Sequence, residues 1–147
     1  MSICGDIEHS RVARSNYYLL KKMGAKVRFV TPEYFKPKNI ENFDVEYFDN
    51  LEKGIDSADI VMMLRIQKER IANTDLPSTD EYYKSFGLTY KKLTRAKDDA
   101  LVMHPGPINR NVEIESALAD DLNKSVINEQ VENGVSVRMA CLAMMVK

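Results

Sequence analysis

Cysteine is scarce in this chain. Only Cys4 and Cys141 occur among 147 residues, and they fit no metal-ligand spacing such as CxxC. Both sit among apolar neighbours, which predicts two buried free thiols in a reducing compartment rather than a disulfide framework. No apolar run approaches the roughly 20 residues of a membrane span, and no charged-then-apolar leader opens the chain. A cytoplasmic location is the expectation. An excess of one charge is also missing: 21 basic and 22 acidic side chains leave a formal net charge of -1, so nothing in the balance points to nucleic acid or an anionic membrane as partner. The GxGxxG fingerprint is absent after every apolar run, which argues against a dinucleotide site.

The length fits one domain that buries roughly 70% of its unfolded surface. Hydrophobic content of 44% and charged content of 29% are ordinary for a globular chain. Met1–Cys4 supplies only the tail of a strand, an abrupt start that suggests a natural truncation or an expressed fragment. Helical spacing runs from about His9 to Met23, with Gly24 as its stop. Lys26–Val30 reads as a strand closed by Pro32, and Asp44–Phe48 alternates as another. Leu51–Ala58 reads as a helix and Ile60–Leu64 as a buried strand. Two short helices, Thr79–Phe86 and Thr89–Ala96, flank Gly87. Ala100–Met103 is a strand, Ile114–Asp121 a helix and Ser125–Ile127 a last short strand. Glu129–Val146 closes the chain as a long helix with Val131, Val135, Leu142 and Val146 facing inward, weakened by about 1 kcal/mol at Gly134. This alternation predicts an α/β domain of three layers, with a predominantly parallel, Rossmann-like sheet covered by helices on both faces.

Three arginine-bearing stretches each follow an apolar run, where an open α/β sheet offers its strand ends to a ligand. In Gly5–Asn16, Ser10, Arg11 and Arg14 fall at the opening of a helix, whose free N–H groups and dipole favour an anion. Arg11 adds a planar fork suited to a carboxylate. The plainer reading is a surface arginine beside an ordinary Ser10 cap. In Leu64–Arg70, Arg65 and Gln67 lie two residues apart on an extended segment and point to one side; the plainer reading is a solvated turn with Arg65 snorkelling. In His104–Arg110, two prolines around Gly106 make a stiff loop whose carbonyls can accept from an amide NH2, and an X-Pro bond there can be cis. A rigid connector is the alternative. His104 lacks partners for a zinc site, and His9 reads as a structural hydrogen-bonding histidine.

Together these stretches, GDIEHSRVARSN, LRIQKER and HPGPINR, with Gln130–Ala140, closely resemble the aspartate-binding, C-terminal half of the aspartate carbamoyltransferase catalytic chain. The likeness covers nearly all 147 residues. The SMG and HCLP signatures of the related ornithine enzymes are missing. The resemblance implies that Arg11, Arg65 and Gln67 contact L-aspartate and that the carbonyls of Gly106 and Pro107 receive the amide of carbamoyl phosphate. It implies carbamoyl transfer to the aspartate amino group in pyrimidine biosynthesis, by positioning and electrostatics. A homotrimer is implied, and neither metal nor organic cofactor.

The family's N-terminal half is absent: the chain has no STRTR loop, no HxxQ segment and no mobile lysine loop. The expectation is therefore one aspartate-binding domain, residues 1–147, inactive alone and with no catalytic residue of its own. A non-catalytic carboxylate-binding or regulatory module, or a transferase with another amino acceptor, are the competing readings. A mobile loop near the acceptor site is the family's expectation for the region 68–91.

Overall fold

The computed structural model describes residues 1–67 and 76–146. Five short strands form one sheet: β1 (Ser2–Cys4), β2 (Arg28–Val30), β3 (Glu46–Phe48), β4 (Ile60–Met63) and β5 (Leu101–Met103). All neighbours pair in parallel, in the order β3-β2-β1-β4-β5. The helices are α1 (Arg11–Lys22), α2 (Leu51–Gly54), α3 (Thr79–Phe86), α4 (Tyr90–Leu93), α5 (Ser116–Ala119) and α6 (Ile127–Met145).

Strand alternation separates two cores. Ile3, Phe29 and Met62 point to one face with Ala13 and Tyr17 of α1. Cys4, Val30, Val61, Met63 and Val102 point to the other, under Leu51, Tyr82, Phe86, Leu93 and Leu118. Helices therefore cover both faces of the sheet, as the alternating pattern predicts.

Local chemistry sets several boundaries. Gly24 stops α1 at φ +75°, and two bonds characteristic of a glycine-terminated helix close its end, Gly24 N–H to Lys21 O (3.1 Å) and Ala25 N–H to Leu20 O (2.9 Å). α3 opens with a reciprocal cap: Ser78 Oγ accepts from Glu81 N–H (3.3 Å) and Glu81 Oε2 accepts from Ser78 N–H (2.8 Å). Its far end is held by Lys92, whose Nζ donates to the carbonyls of Lys84 (2.8 Å) and Gly87 (2.9 Å).

Three expectations fail. Ser125–Ile127 is not a strand: Ser125 makes only an isolated bridge to Val102, and Ile127 already begins α6. Val131, Val135, Leu142 and Val146 do not face inward; they are 54–74% exposed. Apolar residues are not gathered into one stripe along α6, and past its first turn its large apolar side chains are exposed. Cys141 rides on this exposed helix, so only Cys4 is a buried thiol, its pKa pushed far up by burial. Among the described residues no helix is long and apolar enough to cross a membrane.

Candidate functional site

The sheet order reverses direction between β1 and β4. Chain progress runs outward through β2 and β3 on one side and through β4 and β5 on the other. Loops leaving the C-terminal ends of β1 and β4 therefore diverge and open a crevice, the usual ligand position in such sheets. Gly5–Ser10 leaves β1 there and Leu64–Gln67 leaves β4. Cys4 pairs with Met63 and Met62 with Met103, so the His104–Pro107 loop leaves the next strand at the same edge. All three predicted stretches thus lie on one edge of the sheet.

Gly5 makes the first turn possible. Its φ is +116°, and an added Cβ would stand 2.9 Å from the Leu64 carbonyl oxygen. A side chain is excluded twice, by backbone conformation and by the close approach of the β4 exit.

Asp6, fully buried, joins the two arms of the crevice. Its Oδ1 accepts from His9 N–H (3.1 Å) and lies 2.8 Å from His9 Nδ1. Its Oδ2 accepts from Gln67 N–H at 3.4 Å. Gln67 Nε2 returns the link by donating to His9 O (3.1 Å). The Asp6 contact needs the His9 ring proton on Nδ1.

Ser10 caps α1, its Oγ accepting from Ala13 N–H at 3.1 Å. Arg11 is the first helical residue and is exposed, with no side-chain hydrogen bond or ion pair among the described residues. Arg14 is engaged instead, donating to Glu8 O at 2.7 Å. Arg65 and Gln67 are half-buried on either side of buried Ile66, the alternation expected of an extended segment. Lys68, Glu69 and Arg70 of the same stretch lie outside the described residues.

The third stretch divides. Gly106 has φ +67° and the Gly106–Pro107 bond is cis. Arg110, however, is spent on a two-pronged pair with Asp120 (2.6 and 2.8 Å). That pair raises the Arg110 pKa and lowers the Asp120 pKa. As an anion holder, Arg110 is therefore withdrawn from the site.

Three residues that matter here were missed by sequence reasoning. Asp6 stood inside a quoted motif without a role; its position between a strand-ending glycine and a histidine three residues on was the available signal. Glu113 is fully buried, and its Oε1 accepts from Asn109 N–H at 2.6 Å. Gln130, on the first turn of α6, accepts through Oε1 from His104 N–H at 3.2 Å. Nothing local in the sequence marks Glu113, and Gln130 opens a quoted segment without a role of its own.

Fold and crevice define a Rossmann-like α/β domain with an arginine-bearing switch point. The family model for the Asp/Orn binding domain of aspartate/ornithine carbamoyltransferase matches residues 1–145, and the chain belongs to that family. It is 59% identical over 142 residues to the aspartate carbamoyltransferase catalytic subunit of Pelagibacter ubique, covering 97% of this chain and 45% of that protein. Its identity to the catalytic subunit of Cereibacter sphaeroides is 54% over 147 residues, 100% of this chain and 46% of that one. The chain thus spans about half the length of these relatives. Among solved structures, the ornithine carbamoyltransferase of Pyrococcus furiosus superposes with a TM-score of 0.79 at 25% identity, over 97% of this chain and 48% of that one. The aspartate transcarbamoylase of Trypanosoma cruzi, solved with carbamoyl aspartate and phosphate, gives 0.75 at 23% identity over 96% and 45%.

Proposed function

We propose that this chain is the aspartate-binding domain, residues 1–147, of an aspartate carbamoyltransferase catalytic chain. The observation that carries the reading is the common edge: Arg11, Arg65 with Gln67, and the Gly106–Pro107 loop leave the C-terminal ends of the adjacent strands β1, β4 and β5. A dicarboxylate needs two cationic forks, and Arg11 and Arg65 supply them beside the Gln67 amide. An amide donor needs backbone acceptors, and the carbonyls of Gly106 and Pro107 fill that role for carbamoyl phosphate. In the reaction the aspartate amino group attacks the carbamoyl carbon and phosphate departs, giving N-carbamoyl-aspartate. Positioning and a water-poor cleft lower the barrier. The protein works in the cytoplasm, in pyrimidine biosynthesis, as part of a homotrimer.

The groups that hold phosphate and stabilise the developing oxyanion belong to the half of the relatives that this chain does not span. The 147-residue chain alone is therefore inactive, and its isolated affinity for aspartate is weak, because half a cleft leaves the charge pairs solvated. Two measurements test this. A carbamoylation assay on the purified chain is expected to show no turnover; turnover that saturates with aspartate overturns the division of labour. Titration of the labelled chain with L-aspartate is expected to shift Arg65 and Gln67 amides, an effect lost in Arg11→Ala and kept in Arg110→Ala. A stronger response to ornithine than to aspartate would move the chain to another acceptor.

A further inference from the structure

His104 and Glu113 are both fully buried beneath the proline loop, and each is tied to that loop's backbone. His104 Nδ1 accepts from Gly106 N–H at 2.9 Å, so the ring proton of the neutral side chain sits on Nε2. Nε2 lies 3.3 Å from Glu113 Oε1, an ion-pair distance without the alignment of a good hydrogen bond. The same Oε1 accepts from Asn109 N–H at 2.6 Å. The two neighbouring side chains therefore hold residues 104–109 at two points: His104 grips Gly106, Glu113 grips Asn109, and the carbonyls of Gly106 and Pro107 lie between the two grips.

Packing alone does not explain this pair. Glu113 Oε2 is buried with no hydrogen-bond partner among the described residues, as are His104 Nε2 and the Tyr82 hydroxyl. Glu113 is among the charges that raise the Tyr82 pKa, after burial itself. A buried carboxylate with an unspent oxygen is costly, and a well-packed apolar pair in its place is often neutral or stabilising. What an apolar pair cannot do is accept the N–H groups of Gly106 and Asn109.

We propose that His104 and Glu113 are positioning residues that set the carbonyls of Gly106 and Pro107 for the amide of the carbamoyl donor. The proposal rests on the function given above for that loop. Neither side chain touches substrate; both act through the backbone they hold.

The chain labelled with nitrogen-15 tests this by NMR in two arms. In the first, His104 is expected to show an unprotonated Nδ1 and a protonated Nε2. The Gly106 and Asn109 amides are expected to be protected from exchange. His104→Ala should lose the Gly106 protection and His104→Asn should restore it, because the asparagine oxygen occupies the Nδ1 position. Glu113→Gln should keep the Asn109 protection that Glu113→Ala loses.

In the second arm the probes are phosphonoacetamide, which carries the same amide and a stable phosphonate, and L-aspartate. His104→Ala is expected to weaken the phosphonoacetamide response by about tenfold or more, the scale of losing a positioning partner, and to leave the aspartate response of Gln67 unchanged. A proton on Nδ1, unchanged amide protection in His104→Ala, or equal loss of both ligands would each overturn the proposal. If the wild-type chain answers neither probe, the half-cleft is too open to hold them, and the ligand arm is read on the chain joined to the half that its relatives carry. The first arm then still decides whether the pair holds the loop. Should His104→Ala fail to fold, His104→Asn against His104→Gln carries the comparison: only the former reaches Gly106 N–H.

Discussion

The sheet and the closing helix α6 are built from similar residues and meet opposite fates. Ile3, Phe29, Val30 and Val102 are wholly buried, each covered by a neighbouring strand and by a helix across the face. Val131, Val135, Met139 and Leu142 of α6 are no less apolar, yet all are more than half exposed. Apolarity states what a residue tolerates; a second surface within reach decides whether it is buried. Five short strands provide such surfaces for one another. Among the described residues of α6 only Ile127, in its first turn, is buried, and Gln130 there is bonded to the domain. Its apolar residues are spread around the helix rather than gathered into the stripe of an ordinary surface helix, so no one side carries the pattern that packs against a sheet.

The sharpest way to break this contrast is paired truncation. Phe29→Ala is expected to lower unfolding stability by about 3–5 kcal/mol, the cost of an aromatic-sized cavity. Leu142→Ala is expected to change it by less than about 0.5 kcal/mol. Urea melts of the two variants measure both, and similar losses would mean that α6 is packed in solution.

Next in size is Asp6→Ala. It leaves the His9 and Gln67 N–H groups without their acceptor and separates the two arms of the crevice. A loss of about 1–3 kcal/mol is expected, together with faster amide exchange at Gln67. Unchanged exchange there would sever Asp6 from the β4 loop.

A smaller effect depends on pH. The Arg110 fork beside Asp120 holds that carboxyl below its ordinary range. The folded value is the depressed one, so the stabilisation is present above the unfolded value of about 3.9 and fades as pH falls through the folded value. Arg110→Gln should therefore melt slightly below wild type at pH 7 and match it near pH 2. A gap that persists in acid would mean that the pair's charge is not its contribution.

The smallest expected change is the most telling about α6. Removing residues 134–147 should leave the melting temperature nearly unaltered, since the first-turn contacts of Ile127 and Gln130 remain. A large drop in melting temperature would show that the exposed turns support the sheet after all.

Most of the architecture was readable from residue patterns because it is written locally. Ser10 before a helical run, Gly24 after it, and the Ser78 to Glu81 spacing each announce a boundary through bonds made within a few residues. The strand at Ser125 was misread because a short apolar run carries no information about whether a neighbour is there to pair with it. The site was legible in part. Arg11, Arg65, Gln67 and the proline loop were singled out by their place after apolar runs, and the sheet order brings them to one edge, where their contacts with a ligand are proposed. Arg110 looked equivalent to the other arginines and is not, because Asp120, ten residues on, takes its fork.

Chain order alone thus settled the kind of domain and most of its elements, and it nominated residues at the strand ends, because periodicity, caps and turns are short-range. Which groups support that chemistry came from the folded form. Asp6 reaches Gln67 across 61 residues and His104 reaches Gln130 across 26, partnerships between segments that meet only once the sheet has assembled. The exposure of α6 belongs to the same category, since burial depends on what stands opposite a side chain and not on the side chain itself.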